Sequence, residues 1–265
     1  MTSSLPQEAT GVAALYCLFG DTSWLTQSYL SIYPCVERIM FFLSSSPWYG
    51  QQRASEVDLT MLQALPDPAG KIEIMSGDWA SETEQRNITL AYAQHKGFTH
   101  GLIIDADEVY EGSELLQGIA LARSQPQVTV WHVQWYTYWK SPEYRIEPVE
   151  PYQPPVFVTL GNVGFAETRN ALGDTHALIP PEVCMCHHLS YALSDEALRA
   201  KHIMQPGHSQ SAYPGWYEHK WKRWDADPSI ENLHPVHAEW FKRAVRQPNE
   251  VKPGILRGLT DVSAR

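Results

Sequence analysis

The sequence is short of cysteine, of long apolar runs and of positive charge, and each shortage removes a class of protein. Its four cysteines, Cys17, Cys35, Cys184 and Cys186, do not form a disulfide framework. Cys17 and Cys35 fall in apolar runs and are expected as buried thiols. No stretch is apolar for long enough to span a bilayer. Residues 1–8 carry no basic segment leading into an apolar one, so no signal peptide and a cytoplasmic location are expected. Lys and Arg number 20 against 30 Asp and Glu, a formal net charge of −10. General nucleic-acid binding needs a basic surface and is not expected, although segregated charge leaves room for a local basic cleft. Also missing are a P-loop, a Gly-x-Gly-x-x-Gly string at a strand–helix junction and a Ser-His-Asp arrangement.

What is present is an ordinary globular composition, 43% hydrophobic over 265 residues, with ten Trp and thirteen Tyr. That length suits a single domain over residues 1–265. Apolar runs at residues 11–19, 36–43, 71–75 and 99–104 read as strands. Between them lie helical patterns at residues 24–32, 59–65 and 82–96. Ser81 and Glu84 form a capping-box pattern at the start of the third helix, and Gly97 closes it. The β-α-β-α-β-α-β order implies a right-handed, mostly parallel sheet. Residues 111–123 read as a further helix and 128–139 as one long strand. Residues 141–155, rich in proline, read as an ordered loop able to cover a site. Strands at residues 156–165 and 183–189 and a helix from Ser194 through Leu198, Lys201 and Ile203 follow. An aromatic-rich remainder is expected to pack back on the sheet.

The fourth strand ends abruptly in Asp105, Ala106, Asp107 and Glu108. A core strand cannot carry these carboxylates without partners, so the chain must leave the sheet at its C-terminal edge, where α/β sheets place ligands. In an extended segment Asp105 and Asp107 share a face, and two hard oxygen ligands suit Mg²⁺ or Mn²⁺ completed by a diphosphate. A solvated acidic turn is the alternative. Cys184, Cys186 and His188 also share a strand face, but a structural zinc needs a second pair of ligands that the sequence does not offer.

Glu84, Gln85, Arg86 and Asn87 followed by Ile103, Ile104, Asp105, Ala106, Asp107 and Glu108 resemble family-2-like glycosyltransferases of the GT-A fold. His187, His188, Leu189, Ser190 and Tyr191, with the Trp216 to Trp224 segment before His234 and Pro235, resemble the C-terminal half of bacterial and phage members. The resemblance implies an α/β, Rossmann-like GT-A domain, with residues 10–110 as the nucleotide-sugar half and 111–265 as the acceptor and helical half. It implies transfer of a sugar from a UDP- or GDP-sugar with Mn²⁺ or Mg²⁺. The acceptor is open: a glycan, a lipid-linked intermediate, a metabolite, a protein or a modified nucleobase.

By the same resemblance Asp105 faces the ribose and the metal, Asp107 is the surer metal ligand, and His188 is the third ligand, with His187 and His208 in reserve. Arg86 and Asn87 are expected at the nucleotide or diphosphate, or Arg86 pairs with the acidic motif. Asp21 is expected near the base and ribose, or as a helix cap. Glu108 orients a ligand or caps the next helix. The base is Asp195, with Glu167 second, and the family's usual Glu-Asp pair and Gln-x-x-Arg-Trp segment are not recognisable. Inversion and retention both stay open. The rival readings are a nucleotidyltransferase, which should carry a Gly-rich basic loop after the first strand, and a non-catalytic sugar-binding module, which needs no Asp-X-Asp.

Overall fold

The computed structural model describes residues 11–46, 48, 57–167, 169–202 and 213–259. The first four apolar runs form β1 (Val12–Leu18), β2 (Arg38–Ser44), β3 (Ile72–Gly77) and β4 (His100–Ile104). They lie side by side and parallel in the order β3-β2-β1-β4. This is the order of one half of a doubly wound sheet. The connecting helices are α1 (Leu25–Ile32), α2 (Leu59–Gln63) and α3 (Glu82–His95).

The two-sided burial of β1 explains its unbroken apolar run. Val12, Ala14, Tyr16 and Leu18 pack with Leu25, Tyr29 and Ile32 of α1, while Ala13 and Leu15 pack with Leu90 and Ala93 of α3. At the start of α3 the Ser81 hydroxyl accepts from the Glu84 amide at 3.1 Å, as the pattern predicts. The Glu84 carboxylate reaches Ala80 rather than Ser81, so the reciprocal half of the box is displaced by one residue. Gly97 follows the helix at φ +89°, a left-handed conformation that glycine adopts without strain.

Beyond β4 the chain forms β5 (Glu108–Val109) and α4 (Gly112–Ser124). The single strand expected over residues 128–139 is instead two, β6 (Val130–His132) and β7 (Gln134–Trp139), broken at the buried Val133. They belong to different sheets, so the chain turns there from one layer into the next. The loop expected over residues 141–155 contains β8 (Ser141–Glu147), antiparallel to β7. Its Tyr144 and Ile146 have β-forming side chains, and Arg145 lies 4.1 Å over the Tyr136 ring. The expected strand at residues 156–165 is β9 (Pro155–Thr159) followed by β10 (Gly164–Glu167), which pairs with β11 (Asn170–Leu172).

β12 (His176–Leu178), β13 (Met185–Tyr191), α5 (Asp195–His202) and β14 (Arg243–Arg246) complete the regular elements. The large sheet runs β12-β6-β9-β4-β1-β2-β3, and β9 is antiparallel to both of its neighbours. The second sheet runs β14-β8-β7-β13-β5. Trp139, Tyr191, Trp216, Trp221 and Phe241 form a buried aromatic core on it, so most of the late aromatics are structural. The architecture is thus the α/β, mostly parallel sheet with an aromatic-rich second half that the sequence implies. Among the described residues no helix is long and apolar enough to cross a membrane. Ile203, expected in α5, lies outside the described residues.

Candidate active site

The acidic motif is the junction between the two sheets. β4 ends in the large sheet at the fully buried Ile104, and β5 begins in the second sheet at Glu108. β5 runs antiparallel to β13 with Glu108 opposite His188 and Val109 opposite His187. The Leu189 amide donates to the Asp107 carbonyl at 2.8 Å, fixing the junction to β13. Asp105, Ala106 and Asp107 line a cavity of about 1320 Å³ beside the C-terminal end of β1. The aromatic residues in its wall are Phe19, Trp48, Trp135, Tyr152, Tyr191 and Trp240 rather than the core tryptophans.

Cations hold every carboxylate of the motif, two of them buried arginines and one a half-buried lysine. Arg86, 2% exposed, donates from Nε to Glu82 at 2.8 Å and from Nη2 to Asp105 Oδ1 at 2.8 Å. Arg169 donates from Nη1 to Asp105 Oδ2 at 2.8 Å and to Glu108 Oε1, and from Nη2 to the Pro155 carbonyl at 3.1 Å. Lys201 on α5 donates to Asp107 Oδ2 and to the Ser190 hydroxyl, each at 2.9 Å. Burial by itself would raise the Asp105 carboxyl, but Arg169 and Arg86 hold it well below the usual carboxylate range. Asp107 is also lowered, Lys201 and His188 outweighing burial. Burial pushes the Glu108 carboxyl up, with Arg169 opposing.

Several expectations need correction. Glu108 neither orients a ligand nor caps a helix: it is fully buried, and its Oε2 accepts from its own chain at the Asp105 amide, 3.0 Å away. Asn87 does not face the cavity, because its amide clamps the backbone of β10, donating to the Phe165 carbonyl at 2.9 Å and accepting from the Phe165 amide at 2.8 Å. Asp195 does not line the cavity: its carboxylate accepts from Trp221 Nε1 at 2.6 Å and pairs with Lys140 at 3.6 Å. Its pKa is lowered, by the Trp221 hydrogen bond and Lys140 against burial, which suits an anchoring helix start more than a base. His187 turns into the core with its Nδ1 on the Tyr138 hydroxyl at 2.8 Å. His208 lies outside the described residues.

Arg86 pairs with the motif, and Asp21 lines the cavity while its Oδ1 accepts from the Ser23 amide at 3.0 Å. Glu167 lines the cavity and is exposed. Cys184 and Cys186 are buried free thiols in the core against the large sheet, and no zinc set forms around them among the described residues.

No family model matches this chain, and no curated protein matches it. Solved structures resemble it at low identity. The structure of S. aureus TarS 1-349 is 12% identical with a TM-score of 0.43, over 68% of this chain and 60% of that one. The same protein in complex with UDP is 12% identical with a TM-score of 0.44, over 71% and 62%. The 4-diphosphocytidyl-2C-methyl-D-erythritolsynthase from Anaerococcus prevotii DSM 20548 is 9% identical with a TM-score of 0.40, over 72% and 94%. The matched region is about three-fifths of the length of the TarS 1-349 chains.

The metal set expected from the sequence fits in part. Asp105 does not fit, because each of its oxygens already faces a guanidinium whose positive charge opposes a second cation, while its remaining lone pairs can still accept hydrogen bonds. Asp107 Oδ1 and His188 Nε2 are the pair that could hold a cation. They stand 3.9 Å apart, too far for a hydrogen bond and wider than the roughly 3 Å between neighbouring ligands of an octahedral ion at about 2.1 Å, so they would have to close by about 1 Å on binding. His188 is stacked on Trp135 at 3.8 Å, and burial lowers its pKa to about 4, which keeps the ring neutral and able to ligate. Its buried Nδ1 has no hydrogen-bond partner. Among the described residues no third His, Cys, Asp or Glu joins this pair. A diphosphate and water would have to complete the shell.

Arg169, Lys201 and Glu150 are cavity residues that the sequence does not single out. Asp105 and Arg169 meet across 64 residues, and Asp107 and Lys201 across 94. The only local signal is Lys201 on the helix directly after the His188 strand.

Proposed function

We propose that this chain is a glycosyltransferase that moves a sugar from a nucleotide-sugar donor, a UDP- or GDP-sugar, to an acceptor hydroxyl. The observation that carries the reading is the arrival of Asp105 and Asp107, from the end of a parallel strand, in a large cavity where Arg86, Arg169 and Lys201 already balance them. A nucleoside diphosphate needs hydroxyl acceptors for its ribose and positive charge for its phosphates, and this wall has both. Asp105, held rigid by two guanidinium groups, accepts from the ribose. Lys201, the ammonium facing the cavity, leans from Asp107 toward the diphosphate. Asp21 and the paired rings of Phe19 and Trp48, 4.6 Å apart, receive the base.

In the transfer the acceptor oxygen forms a bond to sugar C1 while the bond from C1 to the diphosphate oxygen breaks. The electron pair leaves with the nucleoside diphosphate, and the acceptor proton passes to a carboxylate of the chain. A Mn²⁺ or Mg²⁺ ion held by Asp107 and His188 supplies, when bound, positive charge against the departing diphosphate. Acceptor glycans, metabolites, proteins and modified nucleobases are all compatible with a cavity of this size.

Thermal shift with UDP and GDP, each with and without Mn²⁺, tests the reading, because a ligand bound to the native state raises the melting temperature. A shift that grows with Mn²⁺ in the wild type and loses that increment in Asp107→Ala is expected. No shift with either nucleotide in any combination would count decisively against glycosyl transfer.

A further inference from the structure

The transfer needs a carboxylate beside the acceptor, and neither residue expected in that role is built for it. Asp195 is tied to Trp221 and Lys140 outside the cavity. Glu167 reaches the cavity but is exposed, and no hydrogen bond positions it among the described residues.

Glu150, in the connection between β8 and β9, is arranged differently. It lines the cavity and is 5% exposed. Its Oε2 accepts from the Thr137 hydroxyl at 2.5 Å, and its carbonyl accepts from the Gln134 amide, so β7 holds it at two points. Among the described residues Oε1 has no hydrogen-bond partner. Thr137 stands opposite His188 in the β7 and β13 register, which places the anchor beside the strand carrying His188. Asp105, Asp107 and Glu108 each have an Arg or Lys against them, whereas no ion pair holds Glu150 among the described residues. A buried carboxylate facing the active cavity without a counter-charge is a poor structural element, since its desolvation is uncompensated.

We propose that Glu150 is the general base of the transfer, taking the proton from the acceptor hydroxyl as its oxygen bonds to sugar C1. This rests on the glycosyltransfer reading above. The proton goes to Oε1, and the electron pair of the broken C1–O bond leaves with the nucleoside diphosphate. Facing Glu150 are Thr137 and Gln134 from β7 and Tyr191 from β13. The Tyr191 phenol is raised by burial first and then by Glu150 and Asp107, so both carboxylates lie within its electrostatic reach. Burial raises the Glu150 carboxyl to about 7, with the Thr137 hydrogen bond opposing. A base with that pKa is ionised in useful fraction at neutral pH and still draws a proton effectively.

The experiment measures release of UDP or GDP from nucleotide sugars with water as acceptor, beside nucleotide affinity, for the wild type, Glu150→Gln and Thr137→Val. Glu150→Gln should lose roughly 10²- to 10⁴-fold in kcat, the usual contribution of a general base, with nucleotide affinity kept. The wild-type kcat should rise with pH through a limb near 7 that Glu150→Gln lacks. Thr137→Val removes the opposing hydrogen bond and should move that limb to higher pH. An activity-independent arm follows from linkage. A carboxyl raised in the folded state favours folding below its unfolded pKa, and that contribution is lost as pH rises through 7. Glu150→Gln should therefore melt higher than the wild type at alkaline pH, and the gap should close as the medium becomes acidic.

Wild-type-like turnover by Glu150→Gln on a nucleotide sugar that the protein binds overturns this proposal alone. An increased KM with the pH limb intact also overturns it, because that is what a sugar-binding carboxylate would give. Absence of nucleotide binding in the wild type removes the glycosyltransfer reading and the base with it.

Discussion

Arg169 shows how much one side chain can carry. Its guanidinium touches Asp105, Glu108 and the Pro155 carbonyl, and it lies 5.6 Å from the Trp135 ring. Removing it leaves the fully buried Glu108 without a counter-charge. Arg169→Met should cost about 3–5 kcal/mol of stability at alkaline pH, the usual penalty for stranding a buried charge, as measured by urea unfolding. Because burial already raises Glu108, protonation relieves the stranded charge, and the penalty should shrink as pH falls. A cost that does not change with pH would show that Glu108 is neutral throughout. The acidic residues were legible in the sequence because an apolar run that ends in three carboxylates has no other place to go. Arg169 was not, since its partnership depends on a strand pairing that no local pattern announces.

At the scale of elements, the Asn87 side chain hydrogen-bonds β10 to α3, beside the packing of Phe165 with Leu90 and Ala93. Asn87 both donates to and accepts from Phe165, which holds the β10 and β11 hairpin against the helix that bears Arg86. Asn87→Ala should therefore lower stability by roughly 1–3 kcal/mol, by leaving the Phe165 backbone groups unpaired, while nucleotide affinity changes less than about threefold, within RT-scale effects. A large loss of affinity without loss of stability would return Asn87 to the nucleotide. The parallel strands and the α3 cap were readable from periodicity and spacing. The division of residues 128–139 was not, because β-branched and aromatic residues favour strand on both sides of Val133 and say nothing about which sheet each part joins. Residues 141–155 were misjudged for the opposite reason. Their prolines suggested a loop, yet β8 accommodates Pro142 and ends at Glu147, before Pro148.

At the scale of the molecule, the chain crosses between the two sheets at residues 104–108 and again at Val133, and β9 returns to the large sheet after β8. Neither sheet is made from one continuous stretch, so neither is expected to persist without the other. Urea unfolding followed by far-UV circular dichroism and by tryptophan fluorescence should give coincident transitions, with Trp24, Trp139, Trp216, Trp221 and Trp224, five of the ten tryptophans, reporting on the second core. An earlier fluorescence transition would show that the aromatic core unfolds by itself. The net charge of −10 is echoed in the cavity, whose wall carries eight Asp and Glu side chains against Arg86, Arg169 and Lys201. Composition does not reveal that these three bases are paired with the carboxylates of the acidic motif.

The junction after Ile104 also acts as a ruler. Three residues separate the last position of β4 from the first of β5, and alternation along β5 decides which side chain meets Arg169 and which enters the aromatic core. One extra residue there would offer a neighbouring side chain in place of the Glu108 carboxylate, or pull β13 out of step with β7. Insertions elsewhere can be absorbed by surface turns. Between residues 104 and 109 the chemistry depends on counting, so the spacing has as strong a claim to be part of the site as the carboxylates themselves.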